Sequence, residues 1–467
     1  MKAKKVSPFI LPFTLSLLMT MTHYVSAQES LSRTQLIKKG EYLAIAADCN
    51  ACHQSPEGHA MAGGGTIASP LGNIIASNIT PSSSAGIGDY TPEQFARALR
   101  EGINKQGIHL YPAMPYTAYA KLSDDDIQAL YFYFMHGVDA DDNRVPVTHL
   151  PFPFNFRAMM SVWNALFADP KKFTPDPTTS AQINRGDYLV NGLAHCDTCH
   201  TPRNVLMGPK SHRLLAGGAV GSWYAPNITS DPVAGIGNWS DEALTQYLTT
   251  GRAPGKAQAA GPMAEAIEHS LQYLNADDIQ AIVAYLRHTP AIRSDTAMPR
   301  DQQGTSVNDE ARYRAEKMID AGWQVYASTC ANCHQPDGSG NAYYPALYHN
   351  TATGAENADN LISVILNGVK RETQGHPVVM PAFGQEGLMT DRLNDQQIAD
   401  VSNYVLKHFG NAQLHVTVRD VREQRQGGRK PVIAQLSGPL PLTLLLGTIV
   451  LIGLAIRYWY KRRPHHE

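Results

Sequence analysis

All six cysteines of the chain belong to a single type of motif, Cys-x-x-Cys-His. The three copies are Cys49-Asn-Ala-Cys52-His53, Cys196-Asp-Thr-Cys199-His200 and Cys330-Ala-Asn-Cys333-His334. With this composition, one such pentad is expected by chance only about 0.003 times. Two thiols one helical turn apart can form thioethers with the vinyl groups of a haem, and the next histidine then faces the iron. The motifs therefore predict three covalently bound haem c groups, with His53, His200 and His334 as axial ligands.

Two other uses of paired cysteines explain the motifs less well. A thiol–disulfide redox pair does not need an adjacent histidine three times over. A zinc ribbon needs two Cys-x-x-Cys knuckles for each metal, and three knuckles cannot be divided in that way. No cysteine is left over to form a disulfide, which fits an exported chain whose thiols are all consumed by cofactor attachment.

An internal repeat indicates the second axial ligand. Asn78-Ile-Thr and Ala85-Gly-Ile-Gly recur 149 residues later as Asn227-Ile-Thr and Ala234-Gly-Ile-Gly. In each of three copies a glycine precedes a methionine by 12 residues, at Gly102 and Met114, Gly251 and Met263, and Gly368 and Met380. The repeat predicts Met114, Met263 and Met380 as the sixth ligands. The alternatives near each motif are Met61 and His109, Met207 and His269, and His376 and Met389.

A haem with histidine and methionine ligands has no open position on its iron. The thioether favours ferrous iron and raises the reduction potential, which suits electron transfer. These ligands argue against a peroxidase, which needs one open iron, and the sequence predicts no catalytic residue in this chain.

The segments around these residues have sequence patterns typical of helices. Each of the three glycines follows a helix-like run, as a helix stop does. The methionines are expected in the loops that follow. A second helix is then predicted from the N-cap candidates Ser123, Asn275 and Asn394. Helices leading into the pentads are expected to start near Gly40, Gly186 and Gly322. No strand or hairpin signal stands out. The predicted fold is all-α, with three tandem class I cytochrome c-like domains.

The two ends predict export and membrane attachment. Lys2, Lys4 and Lys5, an apolar run and a small-x-small triplet ending at Ala27 have the form of a signal peptide. Near the other end, residues 440–456 are uncharged and mainly apolar, which predicts a membrane-spanning or membrane-anchoring helix. Together they predict haem domains on the periplasmic side of the cell membrane. The formal net charge of -2 shows no basic surface for nucleic acid.

The predicted organisation follows from these features. It consists of a signal peptide (1–27), a first domain (28–138), a linker (139–180), a second domain (181–289), a linker (290–308), a third domain (309–410), a basic tether (411–438) and the C-terminal membrane helix (439–460). Residues 28–138, 181–289 and 309–410 are called the first, second and third repeats below.

The pentads, the Asn-Ile-Thr and Gly-Ile-Gly blocks and Tyr111-Pro-Ala-Met-Pro resemble the triple-haem cytochrome c subunits of bacterial membrane-bound dehydrogenases. The blocks starting at Ala260 and Phe409 are most similar to the gluconate 2-dehydrogenase, fructose dehydrogenase and sorbitol dehydrogenase types. The alcohol dehydrogenase type is more distant. The resemblance covers nearly the whole mature chain and implies the same haem ligands.

The resemblance also implies partners. A flavin-containing catalytic subunit would supply electrons, a small accessory subunit would accompany it, and ubiquinone would receive the electrons. No Gly-x-Gly-x-x-Gly fingerprint for a flavin or nicotinamide is present, so substrate oxidation is expected on another chain. The alternative is a stand-alone respiratory cytochrome that donates to a terminal oxidase.

Overall fold

The computed structural model describes residues 31–315 and 320–437, together with residues 443, 447, 448, 451, 453, 454 and 457. The predicted signal peptide and most of the predicted membrane helix lie outside these residues. Within the described parts, no helix is both long enough and apolar enough to cross a bilayer.

The described chain is mostly helical, and each repeat has its own set of helices. The first repeat contains α1 (Arg33–Ala46), α2 (Cys49–His53), α3 (Pro92–Glu101), α4 (Tyr116–Tyr119) and α5 (Asp124–His136), and α6 (Met159–Phe167) follows in the linker. The second contains α7 (Ala181–Tyr188), α8 (Cys196–His200), α9 (Asp241–Thr250), α10 (Pro262–His269) and α11 (Ala276–His288). The third contains α12 (Glu310–Ala315), α13 (Ala321–Val325), α14 (Ala331–His334), α15 (Asp359–Asn367) and α16 (Asp395–Phe409), and α17 (Val418–Arg425) follows it.

Short helices of other types connect these elements. The segments Leu189–Leu193 and Tyr326–Cys330 are π-helical and lead into the second and third pentads. The 3-10 helices are Ser211–Arg213, Leu271–Tyr273, Arg300–Gln302 and Val432–Ser437.

Several helix boundaries confirm the sequence prediction, because they follow from local rules. The side chains of Ser123, Asn275 and Asn394 cap α5, α11 and α16, each accepting a backbone N–H three residues ahead. Helices α3, α9 and α15 each end immediately before the expected glycine.

The predicted starts of the first helices were wrong for two repeats. Helix α1 begins at Arg33, seven residues before Gly40, where Ser32 and Gln35 form a capping box. Helix α7 begins at Ala181, capped by Ser180. The glycines at 40, 186 and 322 serve close packing instead: a Cβ there would lie 2.0–2.4 Å from a carbonyl oxygen of α5, α11 or α16. The first and last helices of each repeat therefore cross almost in backbone contact.

The expectation of no strands was also wrong. Four two-stranded antiparallel hairpins occur in the described chain: β1 (Thr66–Ser69) with β2 (Gly72–Ile75), β3 (Ala216–Val220) with β4 (Trp223–Asn227), β5 (Arg252–Ala253) with β6 (Ala257–Gln258), and β7 (Val369–Thr373) with β8 (His376–Met380). The last has Val369 opposite Met380 and turns at Gln374 and Gly375, both at positive φ. Such strands are too short to show a two-residue period in the sequence.

The buried apolar residues form two cores. One core includes residues from 43 to 286 and so belongs to the first two repeats together, whereas the other runs from 313 to 421. A nearly two-fold arrangement joins the first two repeats. The matching bonds are Tyr42 Oη to Asp278 Oδ2 at 2.6 Å and Tyr188 Oη to Asp126 Oδ2 at 2.6 Å, with the hydroxyls accepting the N–H of Asn275 and Ser123 at 3.3 and 3.2 Å. Each repeat thus holds the N-terminal turn of the other's last helix.

Part of the predicted tether is packed against the third repeat. Val421 of α17 is fully buried, Gln424 donates to Asp359, and Arg425 forms a 2.9 Å ion pair with Asp395. A basic tether is usually solvated. Here Gln424 and Arg425 instead make specific bonds to Asp359 and Asp395, which lie at the starts of α15 and α16.

Candidate haem-binding sites

The histidine of each pentad is held in one orientation by a backbone carbonyl. The bonds run from His53 Nδ1 to Ser77 O at 2.6 Å, from His200 Nδ1 to Pro226 O at 2.7 Å and from His334 Nδ1 to Pro345 O at 2.9 Å. A carbonyl only accepts, so Nδ1 carries the proton and Nε2 keeps its lone pair. Burial also lowers the pKa of all three histidines, to about 4 for His200. All three are therefore neutral imidazoles in the form that ligates a metal.

The repeated Asn-Ile-Thr block positions two of these carbonyls, a role that the sequence reasoning missed. Asn78 follows Ser77 directly, and its side-chain oxygen accepts both the N–H and the hydroxyl of Thr80 at 2.9 and 2.7 Å. Its amide group donates to Asp141 O. Asn227 makes the same two bonds to Thr229 after Pro226. The recurrence of the block 149 residues later, close to the 147 residues that separate the first two pentads, was the signal that could have identified it.

The six cysteines lie in the described part of the chain, and none pairs with another in a disulfide. Burial raises the pKa of the Cys49, Cys196 and Cys330 thiols to about 12. Thiols of this kind are protonated at neutral pH and are poor nucleophiles. The environment therefore does not fit a thiol–disulfide exchange enzyme.

The second and third pentads share one cavity of about 1000 Å³. Its lining includes both complete sets of predicted ligands, which are Cys196, Cys199, His200 and Met263 on one side and Cys330, Cys333, His334 and Met380 on the other. Cofactor pockets commonly measure about 300–1,000 Å³, so the space is at the upper end for a bound cofactor. Apolar walls with a few convergent ligand groups fit haem at both positions.

The alternative ligands differ in their placement. Met389 is 83% exposed. The cavity lining does not include Met207, His269 or Met389. His376 does line it, in the same strand as Met380. Thus Met263 is favoured in the second repeat, while both Met380 and His376 are available in the third.

The sequence predicted that all three methionines lie in loops, and this is correct for only one of them. Met114 does lie in a turn, between Tyr111 and the start of α4. Met263 is in the first turn of α10, because Pro262 favours the start of a helix. Met380 ends strand β8. Met114 and Cys49 each pack against the first core, but neither residue lines the large cavity, whose lining on this side includes Ala46 and Asp48.

The chain just before the first pentad contacts the second repeat. Ala47 O lies 3.3 Å from His195 Nε2, immediately before the second pentad, and Ser270 Oγ donates to Ala46 O at 3.4 Å. The first and second pentads therefore flank one junction between repeats, and the second and third face one cavity. The three candidate sites form a continuous series.

The chain matches two known protein families and is similar to several known proteins. Residues 319–408 match the cytochrome c family, and residues 35–134 match the family described as cytochrome C oxidase, cbb3-type, subunit III. The fructose dehydrogenase cytochrome subunit of Gluconobacter japonicus is 48% identical over 89% of this chain and 88% of its own length. The gluconate 2-dehydrogenase cytochrome c subunit of Pantoea cypripedii is 39% identical over 88% and 94%. The quinone alcohol dehydrogenase cytochrome c subunit of Gluconobacter oxydans is 38% identical over 84% and 83%.

Proposed function

Because the chain belongs to the family of dehydrogenase cytochrome c subunits, we propose that it is the three-haem electron-transfer subunit of a dehydrogenase complex. Its cytochrome c regions bind haem c covalently. In our proposal each repeat is one cytochrome c domain, with thioether bonds to its two cysteines. The proposed axial pairs are His53 with Met114, His200 with Met263, and His334 with Met380.

The observation that carries the proposal is the shared cavity between the second and third pentads. It brings two complete sets of thiols, imidazole and thioether to one space in the polypeptide. A bound haem c supplies one-electron oxidation and reduction of its iron. The protein's part would be to present a neutral histidine Nε2, oriented by the carbonyls of Ser77, Pro226 and Pro345, and to supply a methionine sulfur as a second ligand.

The relatives indicate the kind of partner. The named relatives are subunits of fructose, gluconate and alcohol dehydrogenases, so this subunit works beside a catalytic subunit. We propose that the partner is a flavin-containing dehydrogenase that oxidises sugars, sugar acids or polyols, accompanied by a small accessory subunit, and that ubiquinone takes the electrons. No substrate is oxidised on this chain in that scheme.

The proposal includes a location in the cell. Cleavage after Ala27 would leave a mature chain that begins near Gln28, and residues 439–460 would anchor it in the cell membrane. The haem domains would then face the periplasm.

Mass spectrometry of the purified chain tests the number of cofactors, and three bound porphyrins are expected. Alanine in place of Met114, Met263 or Met380 should convert one of three irons from low-spin to high-spin in each variant. Met389→Ala is the matched control, because this side chain is 83% exposed and should leave all three irons low-spin. Fewer than three porphyrins, or methionine variants with unchanged iron coordination, would contradict the assignment.

Isolation of the native complex tests the partner. Co-purification with a flavoprotein, and reduction of a quinone by gluconate, fructose or sorbitol, are the expected results. A chain that purifies alone and reduces a terminal oxidase instead would support the stand-alone respiratory cytochrome.

A further inference from the structure

Three arginines near the second pentad have no carboxylate partner. Arg252 and Arg300 line the large cavity, and Arg371 lies behind Gln258, which also lines it. None of the three forms an ion pair with a residue in the described parts of the chain. The charges of Asp301 and Glu356 act on Arg300, and that of Glu268 acts on Arg371, but none of these carboxylates is within ion-pair distance. Desolvating a guanidinium without an ion-pair partner is costly, so an arrangement of this kind favours the binding of an anion.

The bonds that these arginines do make are few. Arg300 donates to Asn227 O and Ala234 O, and its Nε is buried without a partner. Arg371, only 1% exposed, donates to Ala259 O and to Gln258 Oε1, and its Nε is also unpaired. Arg252 makes no side-chain hydrogen bond to any described residue.

The charges of Arg300 and Arg371 act on Tyr247, which lines the same cavity as Arg252 and Arg300. Burial raises the pKa of Tyr247 to about 12, and the charges of Arg371 and Arg300 act in the opposite direction. Burial lowers the pKa of Arg371, and the like charge of Arg252 lowers it further. Trp239 packs edge-on against Tyr247 at 5.8 Å, and its buried indole N–H has no acceptor. Donors without acceptors are thus gathered on one wall of the cavity.

We propose that Arg252, Arg300 and Tyr247 bind the carboxylate groups of the haem attached to Cys196 and Cys199, with Arg371 adding positive charge behind them. The inference rests on the proposed attachment of haem at the second pentad. A haem attached to Cys196 and Cys199 would bring two carboxylates into the cavity that Tyr247, Arg252 and Arg300 also line. The site is assembled from three segments, since Arg252 belongs to the second repeat, Arg300 to the linker and Arg371 to the third repeat.

The excess of positive charge has a consequence for the redox chemistry. Oxidation makes the iron more positive, so nearby guanidinium groups favour the reduced form and raise the reduction potential. The positions 149 residues before Tyr247 and Arg252 hold Ala98 and Ile103, which carry neither charge nor hydroxyl. Arg97, directly before Ala98, also has a buried Nε without a partner, so Arg252 and Tyr247 are the features that distinguish the second repeat at these positions.

A redox titration of the full haem-loaded chain tests the proposal, with three potentials resolved by absorbance. Arg252→Gln is the preferred variant because Arg252 has no side-chain bond to lose. It should lower one potential, with about a tenfold change in the oxidised-to-reduced ratio for one charge about 12 Å from the iron at an effective dielectric constant of about 20. Tenfold corresponds to about 59 mV for one electron. Arg252→Lys should restore most of the shift.

Arg144→Gln is the matched control, since it removes the same charge from a linker at an exposed side chain that forms no ion pair with a described residue. It should leave all three potentials unchanged. The component that moves in Arg252→Gln should be the one that moves in Met263→His, which marks the second haem. Three bound haems with unchanged potentials in Arg252→Gln would overturn the inference. A wild-type chain without haem at the second pentad would instead overturn the proposed function.

Discussion

The hydroxyl of Tyr188 should stabilise the junction between the first two repeats. Tyr188→Phe removes only this oxygen, from a side chain that is 7% exposed. The hydroxyl donates to Asp126 Oδ2 at 2.6 Å and accepts the N–H of Ser123 at 3.2 Å. The substitution therefore removes one hydrogen-bond partner from the Asp126 carboxylate and one from the Ser123 N–H, and it does not create a large cavity.

The size of the effect can be worked out from these contacts. A hydrogen bond to a charged acceptor is worth about 1.5–3 kcal/mol. Asp126 keeps its 2.6 Å ion pair with Lys39, so the carboxylate is not left unpaired. We expect a loss of about 2 kcal/mol in the free energy of unfolding. Tyr42→Phe should cost about the same, because Asp278 keeps two bonds from Arg185.

Denaturant unfolding of the haem-loaded chain, followed by far-UV circular dichroism, measures these losses. The two changes have separate partners and should add to about 4 kcal/mol in the double variant. Since one core includes residues from 43 to 286, both should shift the same transition and leave that of the 313–421 core in place. Tyr273→Phe, at a 59% exposed side chain that does not line the cavity, should change stability by less than about 0.5 kcal/mol.

Two results would refute the reasoning. One is a loss below about 0.5 kcal/mol for Tyr188→Phe, which would mean that water replaces the buried bond. The other is a separate unfolding transition for each of the first two repeats, which would mean that the shared core does not make them cooperative.

Two further predictions concern a carboxylate and a glycine. Burial opposes ionisation of Asp278, but the bonds from Arg185 lower its pKa overall. Its contribution to the free energy of unfolding is therefore present above the unfolded-state pKa of about 3.9. That contribution is lost as the pH falls through the folded-state pKa. Stability measured against pH should therefore fall less steeply below about pH 4 in Asp278→Asn than in the wild type. Gly251→Ala should destabilise more than Gly255→Ala in thermal unfolding: both lie at positive φ, but only at Gly251 would the Cβ meet the Arg371 guanidinium, at 2.5 Å. Equal losses would show that the guanidinium moves aside freely.

The sequence predicted the features that depend on neighbours along the chain. The N-caps at Ser123, Asn275 and Asn394 and the helix ends before Gly102, Gly251 and Gly368 follow from hydrogen bonding within a few residues. The candidate ligands came from the same kind of pattern, a fixed spacing within each repeat.

The features that the sequence missed depend on distant partners. Tyr42 reaches Asp278 over 236 positions, and nothing in either local sequence marks the pairing. The four hairpins are short, and their strands depend on a turn rather than on an alternating pattern. Helix α1 runs through Gly40 because the crossing with α5 leaves no room for a Cβ, so tertiary packing outweighs the low helix propensity of glycine.

The two junctions between repeats differ in the balance of their charges. At the first, each buried carboxylate already has a basic partner and a tyrosine hydroxyl, so the polypeptide satisfies itself. At the second, Arg371 of the third repeat enters the second beside Gly251 and finds only neutral acceptors. The first junction is therefore satisfied by the polypeptide alone, whereas in our proposal the second takes negative charge from the haem. That proposal predicts that loading of the second haem and docking of the third repeat stabilise one another, since both bring charge to the same cavity.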